Sequence, residues 1–134
     1  MTTLATESDV AVAVLAAVNA SLATLATSRT AYSVDKLPSV RPSEYVEVGV
    51  TRRFGGQQRV GGAWIGTVAW RATFRYVSQS SMTNARLMRE RVRAALEFVE
   101  LDGVDSTPWQ FETAEDIGPD DGWFSGLDSY TTTT

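Results

Sequence analysis

Residues 64 to 77 read WIGTVAWRATFRYV, and along them two kinds of side chain change places at almost every step. Trp64, Val68, Trp70, Ala72, Phe74 and Tyr76 fall on one side, and Ile65, Thr67, Ala69, Arg71, Thr73 and Arg75 on the other. A period of two held this long fits a β-strand and no helix. At about 3.3 Å per residue the strand outruns the usual five or six residues, so it should twist or project beyond its neighbours. Its aromatic side needs a cover, and its other side carries Arg71 and Arg75. A chain built on such a strand is a sheet protein whose remaining elements must pack on that strand's apolar face.

The partners can be read in turn. Val46, Val48 and Val50 alternate with Tyr45, Glu47, Gly49 and Thr51, which predicts a strand over 45–52 with one face in the core. Between the two strands, paired glycines at 55–56 and 61–62 surround a polar tip and suggest a mobile hairpin loop. The loop has no phosphate-binding pattern and no helix follows it, so it is read as a segment that orders against a partner. Before the strands, Thr6 and Asp9 form a capping-box pattern, and Val14, Leu15, Val18, Leu22 and Leu25 recur at helical spacing, giving a helix over 8–26. Its sparse charge implies cover on more than one side. Pro38 and Pro42 then enforce extended chain. A second helix is expected over 84–101, capped by Thr83 or Asn84 and stopped at Gly103, with Leu87, Met88, Val92, Ala95, Leu96 and Val99 as its apolar stripe.

Strands are expected at 109–113 and, after an acidic loop, at 125–132. In the last of these Leu127, Ser129 and Thr131 alternate with Asp128, Tyr130 and Thr132, and Gly122 and Gly126 mark the turn into it. The sum is an α+β single domain over 1–134, with a mostly antiparallel sheet of about four strands and two helices on one face. At 134 residues and 43% hydrophobic, the chain can bury a core without disulfides or metal.

Chemistry is limited by what is missing. With no cysteine and no histidine, thiolate catalysis, Cys/His zinc sites, the Ser-His-Asp triad and a histidine base are excluded. Glu115, Asp116, Asp120 and Asp121 lack the register of a calcium loop. No catalytic, cofactor-binding or metal residue is assigned. No apolar run approaches the roughly 18 residues that span a bilayer, and the start of the chain has no leader pattern, so no membrane partner is expected and the protein should remain in the cytosol where it is made.

Charge is distributed unevenly. Residues 29–93 hold all twelve basic side chains and four acidic ones, a net of +8, whereas the residues after Arg93 hold ten acids and no base. The two blocks can neutralise each other inside one molecule or across a repeated contact between identical subunits. The arginines crowd the first half of the second helix and the acids its end, against the macrodipole, which suggests that they face another surface. A pI near 4.8 and the absence of a binding motif argue against sequence-specific nucleic acid.

In element order, and in SEYVEVGV, WRATFRYV, NARLMRERVRAAL and the closing DDGWFSGLDSYTTTT, the chain resembles the tail terminator proteins of long-tailed bacteriophages, with related neck and head-completion proteins sharing much of the pattern. That resemblance implies a non-enzymatic virion protein, assembled in the host cytoplasm and located at the head-tail junction. It would form a ring with itself, commonly a hexamer, cap the major tail tube protein and meet a head-completion or connector protein. In a closed ring, a basic patch of one subunit would meet an acidic patch of the next. The candidates for these contacts are Arg52, Arg53, Arg59, Arg71, Arg75, Arg86, Arg89 and Arg93 on one side and Glu97, Glu100, Asp120 and Asp121 on the other. Exchanging Arg89 and Arg93 for Glu should then weaken assembly and spare the fold. The alternative from another class is a small ligand-binding or enzymatic domain, with the aromatic stripe lining an apolar pocket in a cone-shaped sheet and Asp128 or Tyr130 as its polar groups.

Overall fold

The computed structural model describes residues 6–27, 29–54, 57–58, 64–65, 69–79, 81–101 and 108–133. In chain order the elements are α1 (Glu7–Leu22), β1 (Thr30–Ser33), β2 (Glu44–Phe54), β3 (Gln57–Gln58), β4 (Trp64–Ile65), β5 (Ala69–Ser78), α2 (Met82–Leu96), β6 (Gln110–Asp120) and β7 (Trp123–Thr133). Five strands form one sheet in the order β1-β2-β5-β7-β6, and β3 pairs with β4 in a separate two-stranded ladder. All pairings are antiparallel except that of β1 with β2. The α+β class, the two helices and the largely antiparallel sheet agree with the sequence reading, with one strand more.

The long alternating segment becomes the sheet's middle strand. Trp70, Ala72, Phe74 and Tyr76 are buried on one face, while Arg71, Thr73 and Arg75 point to the other. Its first part departs from a single continuous strand: Trp64 and Ile65 pair with Gln58 and Gln57, and residues 66–68 lie outside the described residues. Both helices cover the aromatic face. Helix α1 contacts β1, β2 and α2, and α2 contacts β5, β7 and β6.

Helix α1 begins as the capping-box pattern requires. The Thr6 backbone N–H donates to the Asp9 carboxylate at 3.0 Å, and the Asp9 N–H donates to the Thr6 hydroxyl at 3.1 Å. Its buried residues are Val10, Val14, Val18 and Leu22, one every fourth position, and it ends at Leu22 instead of 26. Asn19 fastens the following chain, exchanging two bonds with the Ala31 backbone, its amide donating to the carbonyl at 3.2 Å and its oxygen accepting from the N–H at 2.8 Å. That clamp places β1, which the sequence pattern did not reveal.

Helix α2 differs from expectation in start, stop and phase. Ser81 is the cap, its hydroxyl accepting from the Asn84 N–H at 3.1 Å, and the helix stops at Leu96. The buried positions are Ala85, Met88, Val92 and Leu96, so Leu87 lies on the outside at 46% exposure. The expected stop at Gly103 falls outside the described residues. The stop is made earlier, where Phe98 takes φ +62° and its N–H donates to the Trp109 carbonyl at 2.8 Å.

The largest correction concerns the acidic segment, which is strand and not loop. Strand β6 runs eleven residues and joins β7 through Asp121 and Gly122, both at positive φ (+49° and +82°). Positive φ at both central residues of a two-residue loop is the geometry of a type I′ hairpin, for which Asp-Gly is a favoured pair. The ladder slips between Glu115 and Gly118, which turns Ile117 into the core. Gly126 marks no turn; it sits inside β7, and a Cβ there would stand 2.6 Å from Ile117 Cγ1 and 3.1 Å from Arg89 Nη2. The missing side chain makes room for the bulge.

Candidate functional site

Two charged clusters emerge, one on each side of the sheet. On the side that no described helix covers, the register brings Glu47, Arg75, Leu127 and Glu115 into one cross-strand row and Thr51, Arg71, Thr131 and Gln110 into another. Between them runs a row of small residues, Gly49, Thr73, Ser129 and Thr113. Arg71 grips Glu112 with two bonds of 2.8 and 3.1 Å, and Ser129 donates to the same carboxylate at 2.9 Å. Arg75 reaches Asp120 at 2.7 Å, and the Ser125 hydroxyl donates to that carboxylate too. At the end of this face Arg41 stacks on the Trp123 ring at 3.8 Å and donates to the Tyr45 hydroxyl at 2.9 Å. The guanidinium plane is suited to such stacking.

The second cluster is buried beneath α2. Asp128 is fully buried, with its Oδ1 3.2 Å from Arg89 Nε, and its Oδ2 accepts from the Tyr76 hydroxyl at 3.0 Å. Arg89 also donates to the Glu115 carbonyl at 2.5 Å and lies over the Tyr76 ring. Burial pushes the Asp128 carboxyl above the usual carboxylate range, and the nearby Arg89 charge pulls it back in part. Burial likewise pushes the Tyr76 and Tyr130 phenols up. Arg93 pairs with Glu97 at 3.3 Å along the helix and lies over the Phe111 ring at 5.4 Å.

The expected contact residues therefore divide. Arg71, Arg75 and Asp120 share the open face; Arg89, Arg93 and Glu97 lie along α2 where it crosses β6 and β7; Arg86, Glu100 and Asp121 are exposed. Arg52, at the end of β2, offers its N–H to the Glu7 carboxylate at 3.2 Å and its guanidinium to the Trp70 ring at 5.7 Å. Arg53 is placed on β2 by its backbone, and Arg59 lies outside the described residues. At least four of these candidate arginines are matched by acids of the same chain: Arg71, Arg75, Arg89 and Arg93 with Glu112, Asp120, Asp128 and Glu97. The basic middle and acidic end of the sequence are thus complementary within the molecule, because the basic β5 and α2 lie against the acidic β6–β7 hairpin. Glu for Arg89 would set a second carboxylate against buried Asp128, so that exchange tests folding before it tests assembly.

The aromatic stripe is packed core. Trp70, Phe74 and Tyr76 are at most 1% exposed, and the ring of Tyr130 meets Phe74 edge-on at 5.7 Å. Among the described residues no group of three or more acidic side chains converges to hold a metal. Sequence reasoning missed Glu112 as the partner of Arg71, and also Asn19. Two bulges displace Glu112 and Ile117 from simple alternation, and only the Asp-Gly pair at 121–122 signalled the hairpin that places them. No protein-family model matches this chain, and no curated protein matches it.

Proposed function

We propose that this chain is a structural protein of the phage head-to-tail joining region, a tail terminator that assembles with copies of itself, caps the tail tube and meets the head-completion protein. The observation that carries the reading is the one-sided sheet. Both helices pack on the aromatic face, and the opposite face, spanned by strands of ten and eleven residues, has no described element over it. That face is broad and polar, with arginines held in fixed orientations by bidentate and shared carboxylates, which is a surface suited to docking on protein and not to a reaction. The element order described above adds the tail-junction context. The test is light scattering of the purified chain, followed by negative-stain imaging after addition of tail tubes. Rings, or tubes of uniform length with a cap at one end, are expected. A monodisperse monomer that leaves tube ends open and unjoined to heads would refute the reading.

A further inference from the structure

The ion pairs within the molecule do not use every charge, and what they leave is sorted by face. Helix α2 buries Ala85, Met88, Val92 and Leu96 on the sheet and turns Arg86, Leu87, Glu90 and Arg91 to solvent. Among the described residues neither the Arg86 nor the Arg91 guanidinium has an ion pair or a hydrogen bond. Arg86 stands in the half of the helix nearer the positive end of its dipole, so the helix itself gains nothing from that charge. With Glu90 counted against the two arginines, this side keeps a single net positive charge around Leu87, a leucine 46% exposed.

The opposite sign collects on the opposite face. A concavity of about 360 Å³ lies between β6 and β7, and Arg75, Ser125 and Leu127 line it from the side of the sheet that faces away from both helices. Glu115, Asp116 and Asp120 stand at its rim. Arg75 is the only base among the lining residues, and Asp120 already claims it at 2.7 Å. Glu115 and Asp116 are exposed, and their carboxylates have no partner among the described residues. The concavity is therefore net negative by two charges, with Leu127 and Pro119 as its apolar part.

We infer that the outer side of α2 on one copy docks at this β6–β7 concavity on the open sheet face of a second copy, with Arg86 and Arg91 against Glu115 and Asp116 and Leu87 over Leu127. The signs match whether all charges are counted or only those without an internal partner. An apolar centre inside a charged rim is the ordinary build of a protein interface, in which the rim fixes register and partner choice. The occupant is another molecule because the two patches lie on opposite faces of one sheet and cannot meet within a folded chain. A contact between two different surfaces leaves each new copy with one free patch of each kind, so it propagates until a ring closes. The inference rests on the self-assembly proposed above and names the surfaces that carry it.

The experiment uses two full-length variants, one with Arg86→Glu and Arg91→Glu, the other with Glu115→Lys and Asp116→Lys, each verified as folded by circular dichroism. The unaltered chain should self-associate in light scattering, and added salt should shrink the associated species. Each variant alone sets like charges against each other and should lose that species. In an equal mixture, α2 of each variant meets a concavity of opposite charge on the other, so association should return. Because the chain has no cysteine, Arg86→Cys mixed with Asp116→Cys should also give an oxidised dimer on a denaturing gel, and this pair decides the matter if a charge variant fails to fold. Variants that associate as the unaltered chain does, or a mixture that stays monomeric, would overturn the contact and leave the tail-terminator reading standing. Association lost and regained as expected, with tubes that the unaltered chain fails to cap, would do the reverse. An unaltered chain that stays monomeric at its highest soluble concentration and gives no trapped dimer refutes the contact.

Discussion

Replacing Arg89 by Met removes the cation that faces a fully buried carboxylate while keeping the aliphatic bulk beneath α2. Asp128 is 0% exposed and the Arg89 side chain 15%, so little water can substitute for the lost charge. Breaking such a pair from one side costs about 3–5 kcal/mol. An independent limit comes from the carboxyl itself, which can escape the penalty by taking up a proton. From its ordinary value of 3.8, protonation at pH 7 costs about 4.4 kcal/mol, and at pH 5 only about 1.6 kcal/mol. The loss should therefore be close to 4 kcal/mol at pH 7 and should shrink below about 2 kcal/mol at pH 5, apart from a roughly constant 1 kcal/mol for the lost bond to the Glu115 carbonyl. The sign agrees with the raised carboxyl. A group whose folded pKa stands above its unfolded value contributes stability below the unfolded value and loses it as pH rises through the folded one. Urea unfolding of both proteins at several pH values between 5 and 7 measures the difference. Arg89→Met combined with Asp128→Asn should recover most of the loss at pH 7, since no charge then remains buried. A loss independent of pH, or a double variant as unstable as the single one, would refute the reasoning.

Gly126→Ala should lower stability by about 1–3 kcal/mol, because its Cβ would meet Ile117 Cγ1 at 2.6 Å and the Ile117 backbone at 3.1 Å. An unchanged thermal midpoint would mean that the bulge yields freely. Removing residues from Leu127 onward should abolish cooperative unfolding, since β7 is paired on both sides, with β5 and with β6. A truncated chain with a sharp urea transition would contradict that.

Much of this architecture was legible because single rules govern it. The alternation through Trp70, Phe74 and Tyr76 survives as buried face, and the Thr6–Asp9 box marks the start of α1. Alternation gives parity but not direction. The final strand's two sets were separable in sequence, yet the set that turns inward is the one containing Asp128, because Arg89 and Tyr76 supply its partners from elements 39 and 52 residues away. The phase of α2 failed for the same reason. Leu87 is exposed and Arg89 nearly buried, since a paired cation can occupy a position that a stripe of apolar residues would reserve for leucine. Strand β1 has four residues and no distinct pattern, and the Asn19 clamp that holds it is a tertiary contact. Of the candidate contact residues, the charges were visible in sequence, but their pairing required the β6–β7 hairpin, whose bulges break the period that would have revealed it.

The Asp-Gly turn at 121–122 has a kinetic meaning as well. The sheet is made from two local hairpins, β2 with β5 and β6 with β7, and the second has the shorter loop to close. Isolated hairpins form in about 1–10 μs, whereas the β5–β7 seam joins residues 46 to 64 positions apart and must wait for α2 to fold back between them. The Tyr76–Asp128 bond crosses that seam. Contact order predicts that closing this seam, which desolvates the Asp128 carboxylate, is slower than forming either hairpin.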